Sequence, residues 1–480
     1  MRLTLAIVLA SLAIGPLIAS PAAAQSTSWN AIVSGEAAIT DNVFAAPLGG
    51  NRTPDMFFQL RPGFLFARNA PRMIHELTAE AEIVYYLLNS NVPSISGRGG
   101  WRGFFRTGPR SEVITSLGAG SGIVTSAASR LTADETMINV LPVGAVTFLQ
   151  ADANQFLSYV ATREIRLSQT LFARWNKSDD NADENIVPEG QDPLMATTVE
   201  SAEAGAAFGI DRSFRRQAVS LEVGASVQRL ERIAPPGAAM GSRLDRQVNP
   251  RARAQWRYDI DRRLSTSVDG GLVYVVPFGK DPYNPDENRK PGLFPIVGAQ
   301  FSLTEVWGRA TATVRRDVTP NLFLAQNTVN DTASVAVAMP LPWLDDSRRR
   351  SPKLVGVGSF GIQRTQLVES ETSETASSIG AARIDAAVIY TPRSGVSYGL
   401  RYELQYQTGD DRAVMAVQGF FRNTIYATFS VRYPDRVAGA VPKRRAGNAT
   451  RADRKDLGAV GAEPVVPDLT EGDDEGGDER

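Results

Sequence analysis

The chain has no cysteine and a single histidine, His75, in 480 residues. Disulfides, thiolate metal sites and lipid attachment at a cysteine are therefore excluded. No second imidazole exists for a histidine-based metal cluster. An excess of one charge is missing too: 51 Lys and Arg face 52 Asp and Glu, for a net charge of −1. That balance offers no field to gather a polyanion, and no nucleic-acid partner is expected. Neither a G-x-S-x-G elbow nor a G-x-x-x-x-G-K-[ST] loop occurs, which removes the lipase-type nucleophile and the phosphate loop. Beyond the first segment there is no run of about 18 apolar residues, so no transmembrane helix is expected. The reading is of a protein that is no enzyme and takes no cofactor or metal.

What is present begins with an export segment. Arg2 is a short basic region, and Leu3 to Ile18 is nearly all apolar, broken by Gly15 and Pro16. Ala22-Ala23-Ala24 before Gln25 makes an A-x-A cleavage site. Residues 1–24 are read as a signal peptide, 25–435 as the folded body and 436–480 as a disordered periplasmic tail. The tail lacks the rhythm of the body. It is basic first (Lys443, Arg444, Arg445, Arg451, Arg454, Lys455) and acidic last (Asp473, Asp474, Glu475, Asp478, Glu479), a composition that cannot bury enough apolar surface to order itself.

From about Trp29 to Tyr433 one pattern repeats. Segments of about ten residues alternate small or apolar side chains with polar ones, the period of a strand. Val248, Pro250, Ala252, Ala254, Trp256, Tyr258 and Ile260 form one series, and Asn249, Arg251, Arg253, Gln255, Arg257 and Asp259 lie between them. Leu264 to Val276 and Tyr398 to Tyr406 repeat the scheme, the latter placing Arg401 and Glu403 on its polar side. A face with three arginines cannot enter a dry sandwich core, because an unpaired buried charge costs several kcal/mol. It can line water, while the other face suits lipid.

The connections alternate as well. Short turns are expected at Asn69–Arg72, Asp211–Phe214, Asp261–Arg263 and Thr391–Gly395. Longer loops are expected at Asn176–Met195, Arg232–Gln247, Pro277–Gly292 and Gln366–Ser378. Lipid tolerates no open sheet edge, so such strands must close. The fold expected is all-β, a transmembrane antiparallel barrel of about 18 strands, with 16 as the fallback. Its setting would be the bacterial outer membrane, with both termini periplasmic. Outer-membrane lipid, lipopolysaccharide and the barrel-assembly machinery would be its partners. Pro62 and Pro250 on apparent lipid faces, and Arg163 interrupting one, leave room for a soluble secreted all-β binding protein.

Several motifs have bland readings. His75 shares a face with Leu77, Ala79, Ala81 and Ile83, as an interfacial residue would. Gly356, Gly358 and Gly361 spell G-x-G-x-x-G inside an alternating segment, where glycines relieve crowding. The acidic stretch from Asp179 to Asp192 lacks the ligand spacing of a calcium loop. Lumen-lining candidates remain: Glu76, Glu80 and Glu82 from one strand, Arg251, Arg253 and Arg257 from another, with Arg401 and Glu403. They would either set ion selectivity or pair with each other across the lumen. Ile425, Phe429, Val431 and Tyr433 form the expected lipid face of the last strand.

Two segments carry a resemblance. Ala38-Ile39-Thr40-Asp41-Asn42-Val43-Phe44 and Phe420 to Tyr433 resemble the first and last strands of β-barrel porins associated with exopolysaccharide and capsule gene clusters. The last strand departs from that pattern in ending on Tyr433, where phenylalanine is usual, and in being followed by a tail. The resemblance implies an outer-membrane barrel acting in export of a surface polysaccharide, with a periplasmic polysaccharide export protein as partner. It transfers no catalytic residues. A general diffusion porin or solute channel is the alternative.

Overall fold

The structure, a computed structural model, describes residues 26–43, 48–88, 94–125, 145–179, 198–234, 241–285, 289–321, 326–341, 354–368, 375–393, 395–408 and 419–433. The expected leader and tail, and most of the acidic stretch, lie outside the described residues. The regular elements are β1 (Ser26–Thr40), β2 (Asp55–Ala70), β3 (Met73–Tyr86), β4 (Ser94–Arg106), β5 (Ser111–Thr125), β6 (Ala145–Val160), β7 (Ile165–Asp179), β8 (Thr198–Ser213) and β9 (Gln217–Ile233). They continue with β10 (Arg243–Asp259), β11 (Leu264–Pro277), β12 (Gly292–Glu305), β13 (Gly308–Asn321), β14 (Gln326–Pro340), β15 (Leu354–Val368), β16 (Thr375–Arg393), β17 (Val396–Gln407) and β18 (Phe420–Tyr433).

Each strand pairs antiparallel with the next, and β1 pairs with both β2 and β18, so the 18-stranded sheet closes on itself. The strands are 12 to 19 residues long, against roughly 9–11 needed to cross hydrocarbon when tilted. Several therefore stand beyond the membrane at one end.

Alternation sets the faces. The exposed series is apolar: Trp29, Val33 and Ile39 on β1, Val219, Leu221 and Val223 on β9, Leu400 and Tyr402 on β17, Ile425, Phe429, Val431 and Tyr433 on β18. Exposed apolar residues in unbroken series on neighbouring strands are an outer wall made for lipid. Aromatic rings crowd its two rims. At the turn end Trp29 stacks on Phe64 at 6.5 Å and meets Tyr433 at 6.0 Å, and Trp256 stacks on Tyr258 at 5.7 Å. His75 belongs to this rim, stacked on Trp101 at 5.8 Å and edge-on to Phe105 at 5.4 Å. Gly103 lies beneath those two rings, where a Cβ would meet them at 2.6–2.7 Å.

The two prolines fit the wall without opening it. Pro62 pairs with Val33 of β1, but the β2–β3 ladder passes from Leu60/Ile83 to Gly63/Glu80. Pro250 pairs with Ala225 of β9, while the β10–β11 ladder skips from Val248/Val276 to Arg251/Val273. Each proline thus lies beside a gap in the ladder on one flank, the place where a missing N–H costs least. Arg163 interrupts no lipid face, because it lies in the turn between β6 and β7.

Several connections differ from the expected bounds: Asn176–Asp179 remain in β7, Gln366–Val368 in β15, and Thr375–Ser378 and Thr391–Arg393 in β16. Asp211 to Ser213 remain in β8, and the turn is 214–216, closed by Phe214 N–H donating to Gln217 O at 2.7 Å. The long loop expected from Arg232 to Gln247 shrinks to 234–242, since β9 and β10 pair out to Arg232/Arg243. Charged residues stop a strand in lipid but not in water, and these ladders continue past the membrane. Gly356, Gly358 and Gly361 lie within β15.

Face assignment gives a direct test. Phe360, outward and near the middle of β15, changed to Arg should cost about 2–4 kcal/mol. Its neighbour Ser359, inward and opposite Asp385, changed to Arg should cost less than about 1 kcal/mol. Urea titration of the barrel refolded in lipid vesicles measures both, and equal losses would contradict the faces.

Candidate functional site

The inner face of the wall is the candidate site. Alternation places Glu76, Glu80 and Glu82 there on β3, and Arg251, Arg253 and Arg257 on β10. They do not join across the barrel. Five of the six instead bond a partner on their own or a neighbouring strand. Glu80 holds Arg98 of β4 at 2.9 Å, and Glu82 accepts from Arg61 Nε of β2 at 2.7 Å. Glu76 stands opposite Arg102 in the β3–β4 register. Arg251 pairs with Glu222 of β9 at 3.4 Å, Arg253 with Asp269 of β11 at 2.9 Å, and Arg257 with Asp259 at 3.2 Å. Of the two readings of these charges, pairing across the lumen is not seen among the described residues, and the pairing that occurs is local. The reason is reach: neighbouring strands are under 5 Å apart, and the opposite wall is far beyond a side chain's length.

The densest network is on β16 and β17. Arg401 bonds Asp385 and Glu403 at 2.6 Å each, and its guanidinium lies 5.1 Å from the Tyr426 ring. Arg383 reaches Asp385 at 2.7 Å and Glu403 at 3.4 Å. Arg422 Nη2 donates to Gln405 Oε1 at 2.6 Å. Asp385, Arg383 and Arg422 carry as much of this network as the two residues legible in the sequence. The signal for them was present in the same alternation, Arg383 and Asp385 being two apart, but β16 is so rich in alanine that its two faces differ little.

Inner-face side chains change character along the axis. Toward the turns the long charged ones are half-exposed or open, as at Glu76, Arg102 and Arg257, while the short Ser28, Asn30, Ser158 and Ser302 are buried. Toward the loops they are buried, as at Thr40, Gln59, Ser201, Gln228, Gln247, Thr365 and Gln407.

The connection after β11 contributes to that end. Arg289 donates to Asp245, Asp281 and the Leu244 carbonyl at 2.9–3.0 Å, and Asp281 also accepts from Leu244 N–H at 3.2 Å. These bonds tie Asp281 and Arg289 to β10, in a stretch that the sequence reads only as a long loop. In the same connection Tyr283 Oη donates to Glu231 at 3.3 Å. Desolvation and then the Glu231 charge push its phenol up from the ordinary value.

The two segments at the ends of the rhythm meet at the seam. Ile39 faces Ile425 and Thr40 faces Thr424 in the β1–β18 register. Beyond it Asp41 accepts from Asn423 N–H at 2.7 Å and from Asn423 Nδ2 at 2.9 Å, and Asn42 Nδ2 donates to Phe421 O at 3.1 Å. Lower on the seam Phe429 lies over Gly35, filling the space a side chain would take. These residues serve closure of the barrel.

No protein-family model matches the chain, and no curated protein sequence matches it. Solved structures similar to it include Pseudomonas aeruginosa OccK2 (OpdF) in complex with glucuronate, with 10% identity and a TM-score of 0.42 over 85% of this chain and 98% of that one. Acinetobacter baumannii OccAB3 has 8% identity and a TM-score of 0.43 over 85% of this chain and 100% of its own. The copper transporter OprC has 8% identity and a TM-score of 0.46 over 84% and 80%. Similarity at this level does not carry over what those proteins bind.

The Arg61–Glu82 pair sits beside the Pro62 gap with both side chains under 10% exposed. Arg61→Met should cost about 3–5 kcal/mol, because it strands a buried carboxylate. Adding Glu82→Met should recover most of that loss. A double-mutant cycle in vesicle refolding measures the coupling, and additive losses would show that the pair is not desolvated.

Proposed function

We propose that this chain is an outer-membrane channel through which small hydrophilic solutes diffuse. One observation carries the reading: a closed wall whose outer face is apolar and rimmed with aromatics, and whose inner face is ionised along several strands. Fixed charges already compensated by neighbours do not collapse onto one another, and they favour water over lipid in the interior. In this reading Glu76, Glu80, Glu82, Arg251, Arg253, Arg257, Arg401 and Glu403 line the path. The short-turn end and both termini face the periplasm. Ile425, Phe429, Val431 and Tyr433 contact lipid, and lipopolysaccharide and the assembly machinery are the partners such a wall requires.

Export of a surface polysaccharide is the second reading, and it rests on the end segments Ala38–Phe44 and Phe420–Tyr433. Within them Ile39, Thr40, Asp41, Asn42, Asn423, Thr424 and Ile425 are engaged in the seam. Their sequence is accounted for by closure, whatever passes through the barrel.

The purified barrel should give discrete conductance steps in a planar bilayer. Arg251→Ala, which leaves Glu222 uncompensated, should move the reversal potential in a salt gradient toward cation preference. A deletion strain should keep its surface glycan and lose uptake of a small solute. Loss of surface glycan with uptake intact would replace this reading with the export one.

A further inference from the structure

The short turns hold an excess of one charge that the chain as a whole lacks. Those after β2, β4, β6, β8 and β10 span residues 71–72, 107–110, 161–164, 214–216 and 260–263. Between them they carry seven arginines, no lysine, and the two acids Glu164 and Asp261. Both acids are engaged. Glu164 pairs with Arg212 of β8 at 3.5 Å, and Asp261 Oδ1 accepts from the Arg263 and Leu264 N–H groups at 2.7 Å. Arg263 meets Glu305 of β12 at 3.0 Å. Arg72, Arg110, Arg163, Arg215, Arg216 and Arg262 are exposed and make no ion pair among the described residues.

The turn backbones are held at a fixed level by the strands beside them. Arg106 N–H donates to Arg72 O at 2.8 Å, Val160 N–H to Arg110 O at 2.8 Å, and Asp259 N–H to Arg216 O at 2.7 Å. Just inside that level the outward series ends in arginine. Phe64 and Phe66 of β2 lead to Arg68. Phe208 and Ile210 of β8 lead to Arg212, whose guanidinium lies 4.8 Å from the Phe214 ring. Exposed apolar residues share the turns: Phe214, Ile260, and Val306 with Trp307 after β12. Arginines interleaved with apolar rings at the end of a lipid-facing wall have the composition of a membrane interface. Their stems lie along apolar surface there, and their heads reach phosphate.

The distribution selects the partner. Five successive turns join ten consecutive strands of the eighteen, β2 to β11, so the arginines follow more than half of the rim. A compact acidic protein touches one sector of such an arc, whereas a lipid leaflet surrounds all of it. Residue type narrows the choice further. Solvation would be served as well by lysine or by carboxylates, and arginine alone presents a planar fork that matches phosphate.

We propose that the turn-end rim is a binding surface for anionic phospholipid headgroups, with the arginines of its turns donating to the lipid phosphates. This rests on the reading that the outer wall lies in lipid, and it is independent of what passes through the barrel.

Tryptophan reports the contact, because Trp29, Trp101, Trp256 and Trp307 stand toward this rim. The purified chain is refolded in phosphatidylcholine vesicles that contain brominated phosphatidylglycerol or, at the same mole fraction, brominated phosphatidylcholine. The anionic lipid should quench roughly two-fold more effectively at low salt, and its advantage should vanish near about 1 M salt. Arg72→Gln, Arg163→Gln, Arg215→Gln, Arg216→Gln and Arg262→Gln together should abolish the advantage at low salt and keep heat-modifiable gel mobility. Equal quenching by the two lipids in the wild type overturns the proposal and makes an acidic protein the partner of the rim. A preference that survives all five substitutions in the folded barrel overturns it as well, since other residues then hold the headgroup. Should that variant not fold, Arg215→Gln with Arg216→Gln decides in its place, with a partial loss expected and no loss overturning. Quenching by neither lipid would mean that the wall is not in lipid, and the membrane reading would fail together with the proposal.

Discussion

The structure depends on one constraint: in hydrocarbon every backbone N–H and C=O must find a partner within the protein, because an unsatisfied group costs several kcal/mol. A row of strands meets that constraint only by losing its edges. The β1–β18 seam removes them, with ten residue pairs from Ala31/Tyr433 to Thr40/Thr424. Beyond the last pair, Asp41 and Asn42 bond side chain to backbone and prolong the closure above the strand ends. Once the seam is made, every strand has two neighbours, and inside and outside become different solvents. The prolines show how narrow the tolerance is. Each is accommodated beside a short interruption in one ladder, and the other ladder of the same strand runs on.

The second consequence concerns charge. An arginine on the inner wall is costly only if it is both desolvated and alone. Pairing within a strand or to the next keeps the lumen charges compensated without crossing the lumen, so the interior can stay open. Where burial is deepest, as at Arg61–Glu82, pairing is a condition of folding. Where the wall is half-open, as at Arg257–Asp259, the same pairing is worth little to stability, and the charges remain available to solute and ions.

The upper end of β14 uses the same physics in the opposite sense. The β12–β13 ladder ends at Val297/Arg316, while β14 stays paired with β15 as far as Thr328/Leu367. Val329 keeps the apolar identity that its outward position would demand in lipid but is buried, and Asn327 on the same side donates to Gln247 of β10 at 2.9 Å. The upper part of β12, unpaired on that flank, carries Pro295, which has no N–H to leave unpaired there.

The period-2 series by itself determined the barrel. A strand exposes alternate residues to opposite sides, so Val248 to Ile260 and Asn249 to Asp259 had to face different media, and eighteen such segments had to close. The faces of Glu80, Arg253, Arg401, Phe429 and Val431 were legible for that reason. Partners were not. Which carboxylate meets Arg253 depends on register, and register is set by turns and by the whole ladder, so Asp269 emerges only from the fold. Asp211–Ser213 read as a turn because polar residues there resemble a loop, although water beyond the membrane lets a strand continue through them. The contact of β14 with the inner side of β10 was hidden for a deeper reason. Val329 and Asn327 continue the alternation that any wall strand has, and nothing local distinguishes an outer side turned to lipid from one folded against the interior. Only the tertiary structure decided that, by ending the β12–β13 ladder at Arg316 and placing Asn327 against Gln247.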